Sequence, residues 1–131
     1  MKAVLLDTNA FSALFRGDEK VLKTISTADH VFASVVVIGE LEAGFRGGTR
    51  YAGNIEILDR FLARPTVETL EVTRETGDCF GLIKDALRRK GSPIPVNDIW
   101  VAAQSIERGA VIVTYDRHFD NIDGLRMWHL A

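Results

Sequence analysis

Four acidic side chains are spaced along the sequence so that they could do chemistry together. Asp7 directly follows a short apolar run near the N-terminus, and Asp116 directly follows a second one. Glu40 and Asp98 lie near the starts of two predicted helices. Carboxylates brought to one place repel, since two unit charges about 4 Å apart interact by roughly 4 kcal/mol at an effective dielectric near 20. Such a cluster therefore needs protons or a cation to neutralise it.

A cation at these acids would have oxygen ligands, which favours Mg²⁺ or Mn²⁺ over zinc. Carboxylate-bound ions of this kind serve phosphoryl chemistry, where they activate water and stabilise charge on phosphate. The alternative is that each acid acts separately. Asp7 or Asn9 would then only cap the helix that follows. Glu40 and Asp98 would each be either a helix cap or a solvated surface charge.

The elements that must position these acids alternate between strand and helix. Apolar runs and turn residues predict strands, and spacings of three and four predict helices. The strands are expected at 2–6, 31–33, 66–72, 110–114 and 125–130, and the helices at 11–15, from 18, 35–46, 51–64, 73–90 and from 97. Ser34 and Asn97 are the expected N-caps of two of them. This alternation predicts a parallel sheet covered on both faces by helices.

The two most apolar strands, 2–6 and 110–114, should lie at the centre of that sheet. Their carboxyl ends carry Asp7 and Asp116, which should then be neighbours. In open α/β sheets ligands bind at this rim, outside the carboxyl ends of the strands. The sequence therefore predicts that the acids share one site.

The composition is that of one domain, 1–131, with a sizeable core. Apolar residues make up 47% and charged residues 26%, and the net charge is −2, so a nucleic acid would have to be held by local basic patches or by metal. The single Cys79 excludes an internal disulfide and fits a core or dimer surface better than a nucleophile. Neither a signal peptide nor a run of about eighteen apolar residues is visible, so we expect a cytoplasmic protein with no membrane contact.

Four motifs in this order resemble those of the PIN-domain family, and most of all the VapC-type ribonuclease toxins of prokaryotic toxin–antitoxin pairs. The likeness spans essentially the whole chain. One departure is the polar Asn97, where an apolar or small residue is common. The motifs are Leu5-Leu6-Asp7-Thr8-Asn9, Gly39-Glu40-Leu41 with Gly44, Asn97-Asp98 with Ala102-Ala103, and Val113-Thr114-Tyr115-Asp116-Arg117-His118-Phe119, followed by Ile122-Asp123-Gly124-Leu125.

The resemblance implies a PIN-like (Rossmann-like) α/β fold, with three α/β/α layers and a mostly parallel sheet. It also implies Mg²⁺- or Mn²⁺-dependent endoribonuclease activity, a homodimer, and a cognate antitoxin that blocks the site. Asp7, Glu40, Asp98 and Asp116 match the family's catalytic and metal-binding acids. By this match Asp7 and Asp98 bind the ion, Glu40 binds it or orients the attacking water, and Asp116 binds it directly or through water.

Other residues near these motifs are expected to support the acids or the RNA. Thr8, Asn9 and Thr114 could hold carboxylate rotamers by hydrogen bonds. The candidates for binding backbone phosphates are Arg16, Arg46, Arg117 and His118. The alternative for each of these is ordinary solvated surface.

Three other functions remain to be compared. A metal-free ribonuclease could use an acid–base pair from His30, His118 and His129. An aspartyl phosphotransfer enzyme or receiver-type domain would need a second acid where Asn9 stands, and a Lys after the strand 110–114. A catalytically silent RNA- or protein-binding module of the same fold remains open, although all four acids are present.

Overall fold

A parallel five-stranded sheet forms the centre of the molecule, in a computed structural model that describes residues 3–130. The strands are β1 (Ala3–Leu6), β2 (His30–Ser34), β3 (Val67–Leu70), β4 (Val111–Thr114) and β5 (Arg126–His129). The helices are α1 (Thr8–Phe15), α2 (Glu19–Ser26), α3 (Val35–Arg46), α4 (Tyr51–Leu62), α5 (Arg74–Lys90) and α6 (Val96–Arg108). A short 3₁₀ helix, His118–Asn121, follows β4. The predicted three-layer α/β/α class with a parallel sheet is confirmed.

The sheet order is β3-β2-β1-β4-β5, so β1 lies at the centre. Its residues Val4, Leu5 and Leu6 are fully buried, as expected for a parallel strand covered on both faces. Leu6 pairs in register with Val113 of β4. The predicted adjacency of these two strands is therefore confirmed, and their carboxyl ends open at the same rim.

Side-chain caps set several helix starts where the sequence placed them. Asp18 caps α2 by accepting from the N–H groups of Lys20 and Val21, and Ser34 caps α3 by accepting from Val36 N–H. Such caps satisfy N–H groups that have no partner inside the helix.

Two predicted helix starts were wrong. The helix α6 begins at Val96 with Pro95 at the N-cap position, and no side-chain cap is present there, so Asn97 is already inside the first turn. The N–H of Asp98 bonds to the carbonyl of Pro95, which closes that turn. The helix α1 begins at Thr8 and not at residue 11, because Asp7 caps it. No helix of residues 3–130 is long and apolar enough to cross a bilayer.

Candidate active site

The four predicted acids all line one cavity of about 400 Å³ at the carboxyl edge of the sheet. They reach it from different elements: the end of β1, the middle of α3, the first turn of α6 and the loop after β4. The full lining is Asp7, Thr8, Asn9, Glu40, Pro95, Val96, Asn97, Asp98, Asp116 and His118. The strand order produces this meeting, because β1 and β4 end side by side.

Asp7 both caps a helix and belongs to the cavity. Its Oδ1 accepts from Ala10 N–H over 2.8 Å, and its Oδ2 accepts from the Thr114 hydroxyl over 2.5 Å. The residue is 2% exposed. Burial raises the pKa of Asp7 from 3.8 to about 6; the two hydrogen bonds oppose this shift, and the negative charges of Asp98 and Asp116 add to it.

Asp98 lies beside the imidazole of His118. The distance from His118 Nε2 to Asp98 Oδ2 is 2.8 Å, although the ring N–H is not aligned for a hydrogen bond. His118 Nδ1 lies 3.7 Å from Oδ1 of Asp116. Burial raises the pKa of Asp98, the adjacent His118 opposes the rise, and the charges of Glu40 and Asp116 add to it. The imidazole thus occupies the space between two of the acids.

Each polar residue proposed to hold a carboxylate lies against one. The Thr8 hydroxyl donates to Glu40 Oε1 over 2.6 Å, and Asn9 Nδ2 donates to Asp116 Oδ2 over 2.9 Å. Thr114 donates to Asp7 and also accepts from the backbone N–H of Asp116 over 2.8 Å. These contacts fix the rotamers of three of the four acids.

The donor set of the cavity suits a hard cation such as Mg²⁺ or Mn²⁺, because it consists of carboxylate oxygens whose negative charges raise the pKa of Asp7 and Asp98. Within residues 3–130 no three acidic, imidazole or thiol side chains already converge on a single point. Hydrogen bonds orient Asp7, Glu40 and Asp116 toward three separate partners, and Asp98 lies beside His118. Small rotations of carboxylates within the shared cavity would be needed to place them around one ion.

The four predicted phosphate-binding residues have different positions. His118 lines the cavity, and Arg117 next to it has Nη1 3.9 Å from Asp120 Oδ2. Arg16 is exposed at the end of α1, outside the lining. Arg46 also lies outside it and contacts Glu42 and Tyr51.

Each of the three histidines lies beside an acidic side chain. His30 lies at the start of β2, at the opposite edge of the sheet, and its Nε2 is 3.2 Å from Glu68. His129 Nε2 lies 2.8 Å from Asp120 Oδ1. Of the three, only His118 lines the cavity, so the described residues place no pair of histidines within it for a metal-free ribonuclease.

Two contacts near the cavity were not predicted. The Tyr115 hydroxyl donates to Asp18 Oδ2 over 2.5 Å and joins the loop after β4 to the start of α2. The contact of His129 with Asp120 holds the 3₁₀ helix that carries His118. The contact of Tyr115 with Asp18 could have been suggested only by the position of Tyr115 next to Asp116 in the sequence.

Comparison with known proteins gives a consistent result. A family model described as "PIN domain" matches residues 4–125. Ribonuclease VapC5 of Mycobacterium tuberculosis is 27% identical over 122 residues, covering 93% of this chain and 89% of the relative. The tRNA(fMet)-specific endonuclease VapC of Salmonella typhimurium is 26% identical over 131 residues, with 97% of each covered. A crystal structure of DNA-bound VapBC from Salmonella typhimurium superposes with a TM-score of 0.87 at 25% identity, covering 100% of both chains.

Proposed function

The chain belongs to the PIN domain family, and from this premise we propose that it is a Mg²⁺- or Mn²⁺-dependent endoribonuclease, the toxin of a toxin–antitoxin pair. The observation that carries the proposal is the meeting of Asp7, Glu40, Asp98 and Asp116 in one cavity. Relatives that match nearly the whole chain are named ribonucleases, which supports RNA as the substrate.

Asp7 and Asp98 are the proposed direct ligands of the ion, and Glu40 and Asp116 complete the set. The Thr8 hydroxyl bonds Oε1 of Glu40, so Oε2 would be available to the ion or to water. Asn9 bonds Oδ2 of Asp116, so Oδ1 of Asp116 would be available in the same way. The bound ion would supply positive charge that favours hydroxide formation from water and stabilises the charge on the phosphate. The acids would need to be ionised for this, and the cation itself would lower the raised pKa values of Asp7 and Asp98.

The chain's own groups would position the reactants. The free carboxylate oxygen of Glu40 would accept a hydrogen bond from the attacking water and orient it toward the phosphorus. His118 and Arg117, at the cavity and its rim, would contact non-bridging phosphate oxygens. In-line attack would break the bond from phosphorus to the 3′ oxygen of the preceding nucleotide, leaving a 5′-phosphate and a 3′-hydroxyl.

We further propose two protein partners. A cognate antitoxin would cover the cavity; several structures similar to this chain are toxin–antitoxin complexes, which supports such a partner. The second partner is another copy of the chain. Leu82 on α5 is 76% exposed and lies in an apolar groove with Cys79, Ile83, Ala86 and Ile122, a surface suited to a homodimer.

The test is a cleavage assay with purified chain and total RNA, in Mg²⁺, in Mn²⁺ and in chelator, with sequencing of the new ends. We expect metal-dependent cleavage, 5′-phosphate ends, and loss of activity in Asp98→Asn. Metal-independent cleavage, or full activity in Asp98→Asn, would overturn the metal mechanism. RNA binding without any cleavage in either metal would instead support the silent binding module. A small reading frame immediately upstream of the gene would support the proposal that the chain has a cognate antitoxin.

A further inference from the structure

A second groove, of about 510 Å³, lies between α2 and the edge strand β5 and has no part in the site described above. Lysine, threonine and aromatic side chains line it. The lining residues are Lys20, Lys23, Thr24, Thr27, Trp128, His129 and Leu130.

The groove lies next to the strand that carries part of the acidic site. His129, in its lining, pairs in register with Thr114 on β4, and paired strands are about 4.8 Å apart. Thr114 in turn bonds Asp7. The Tyr115 hydroxyl bonds Asp18, the cap of α2, so the loop bearing Asp116 is joined to the helix that forms one wall.

The charge of the groove is positive. Lys20 and Lys23 are both exposed, and Lys20 Nζ donates to the backbone carbonyl of Leu130 over 3.3 Å. The lining contains these two lysines and no acidic residue; Asp18, which accepts from Tyr115, and Asp120, which contacts His129, lie outside it. This wall of the groove is therefore suited to an anion.

Two arginines adjoin the elements that border the groove and the cavity. Arg16 is exposed at the end of α1, two residues before Asp18, the cap of α2. Arg117 follows Asp116 directly. Both arginines are exposed, so they add positive charge to the surface that includes the start of α2 and the loop after β4.

Trp128 adds an aromatic surface. It is 50% exposed at the edge of the sheet, although its size would normally favour burial. Basic grooves with exposed aromatic side chains bind single-stranded nucleic acids, because the cations attract phosphates and the rings stack on bases of any sequence.

We propose that the groove between α2 and β5 binds a nucleotide of single-stranded RNA flanking the cleaved bond, with its base against Trp128 and its phosphate at Lys20 and Lys23. The inference rests on the proposed ribonuclease function and adds to it a substrate-positioning site. Closeness to a cavity proposed to act on phosphodiesters, through the pairing of His129 with Thr114, favours RNA over an acidic peptide as the occupant.

The experiment uses the full chain carrying Asp98→Asn, so that RNA is bound and not cut, and Trp100→Phe, so that Trp128 is the only tryptophan. A short single-stranded oligoribonucleotide is titrated in chelator while tryptophan emission is recorded. We expect RNA to quench the emission and an abasic oligomer of equal length to quench it much less. Quenching by a polyglutamate peptide as strong as that by RNA, or none by RNA, would overturn the proposal.

Affinity is then measured by anisotropy of labelled RNA in the Asp98→Asn background. Lys23→Glu and Trp128→Leu should each weaken binding at least about fivefold, since one stacked base contributes about that much. Lys23→Ala should also make the slope of log affinity against log salt concentration shallower by nearly one, as expected for the loss of one phosphate contact. Lys84→Glu on α5, an exposed lysine away from the groove, is the charge-matched control and should bind as the background does. Unchanged affinity in both groove variants would overturn the proposal.

Cleavage by the otherwise wild-type chain separates this inference from the proposed function. If Trp128→Leu and Lys23→Glu cleave with the parent KM, the groove plays no part and the ribonuclease proposal stands. If the groove variants lose RNA binding while the wild-type chain cleaves nothing in Mg²⁺ or Mn²⁺, the groove binds RNA and the nuclease proposal fails.

Discussion

The hydroxyl of Thr114 donates a hydrogen bond to Oδ2 of Asp7 over 2.5 Å, across the pairing of β1 with β4. The same hydroxyl oxygen accepts from the N–H of Asp116 over 2.8 Å. One buried threonine thus sets the positions of two of the four acids.

Removing the charge of a proposed ligand should abolish cleavage. Asp7→Asn and Asp98→Asn keep the size of the side chain and lose the carboxylate. We expect each to lower the cleavage rate more than about 100-fold, because even changes to residues that only support metal ligands cost 10–100-fold. The assay is single-turnover RNA cleavage in Mn²⁺. Asp59→Asn, an exposed acid on α4 outside the cavity, is the control and should cleave normally.

Thr114→Val should weaken metal binding without unfolding the chain. The substitution keeps the shape of the side chain and removes the hydroxyl that orients Asp7 and bonds Asp116 N–H. We expect Mn²⁺ affinity to fall about 10–100-fold by isothermal titration calorimetry. Thr69→Val, at an exposed position of β3, serves as the control. Equal affinity in the two variants would show that Thr114 does not support the ion.

The metal-free chain should gain stability on mild acidification. The folded-state pKa of Asp7 is about 6 and its ordinary value is 3.8, so folding favours the protonated form. The cost of ionising Asp7 in the folded chain begins to lower the free energy of unfolding as pH rises through about 3.8, and it is complete above about 6. A pKa difference of about two units corresponds to roughly 3 kcal/mol. In chelator, wild type should therefore melt higher at pH 5 than at pH 7.5.

Asp7→Asn is the matched variant for this effect. Its amide oxygen can still cap α1, and it carries no buried charge, so it should melt several degrees above wild type at pH 7.5 and lose most of the pH dependence. Mn²⁺ should stabilise wild type more than the variant. A variant that melts lower than wild type in chelator at both pH values would contradict the shared-site interpretation.

His118→Ala should leave substantial cleavage activity. The imidazole lies beside Asp98 and is proposed to contact phosphate, so its loss should raise KM and lower the rate by less than about tenfold, the range expected for the loss of one ordinary hydrogen bond. Chelator should still abolish the activity. If His118→Ala is inactive while chelated wild type cleaves, histidine acid–base chemistry explains the reaction.

A single charge on α5 should dissociate the proposed homodimer. Leu82 is 76% exposed within an apolar groove, and Leu82→Glu would place a carboxylate at that contact. Light scattering at micromolar concentration should show a dimer for wild type and a monomer for this variant. Lys84→Glu, on the same helix, should remain dimeric. A monomeric wild type would contradict the prediction.

The sequence predicted the sheet well because its signals were local. The apolar runs around Leu5 and Ile112 identified the central strands, and Asp18, Ser34 and Thr73 identified three helix starts. Asn97 misled because it is a favoured cap residue, whereas Pro95 already had the extended backbone that the cap position requires.

The site was less predictable, since its detail depends on contacts between distant residues. Thr8 bonds Glu40 across 32 positions, and Asn9 bonds Asp116 across 107. The insertion of His118 between Asp98 and Asp116 depends on the 3₁₀ helix after β4, for which the sequence offered no periodic pattern. The metal-binding and RNA-binding roles of these residues, and the single domain 1–131, stay predictions.

The position of β1 between β2 and β4 also governs when the site can exist during synthesis. Asp7 is translated early, while its partner Thr114 comes 107 residues later. At 5–20 residues per second, the ribosome needs roughly 5–20 s to make the chain between them. The nascent polypeptide therefore carries its first acid for nearly the whole of translation without a nuclease site. Only the emergence of β4 and the loop after it adds Thr114 and Asp116 to the proposed site, so we expect truncated products that stop before residue 111 to cleave no RNA.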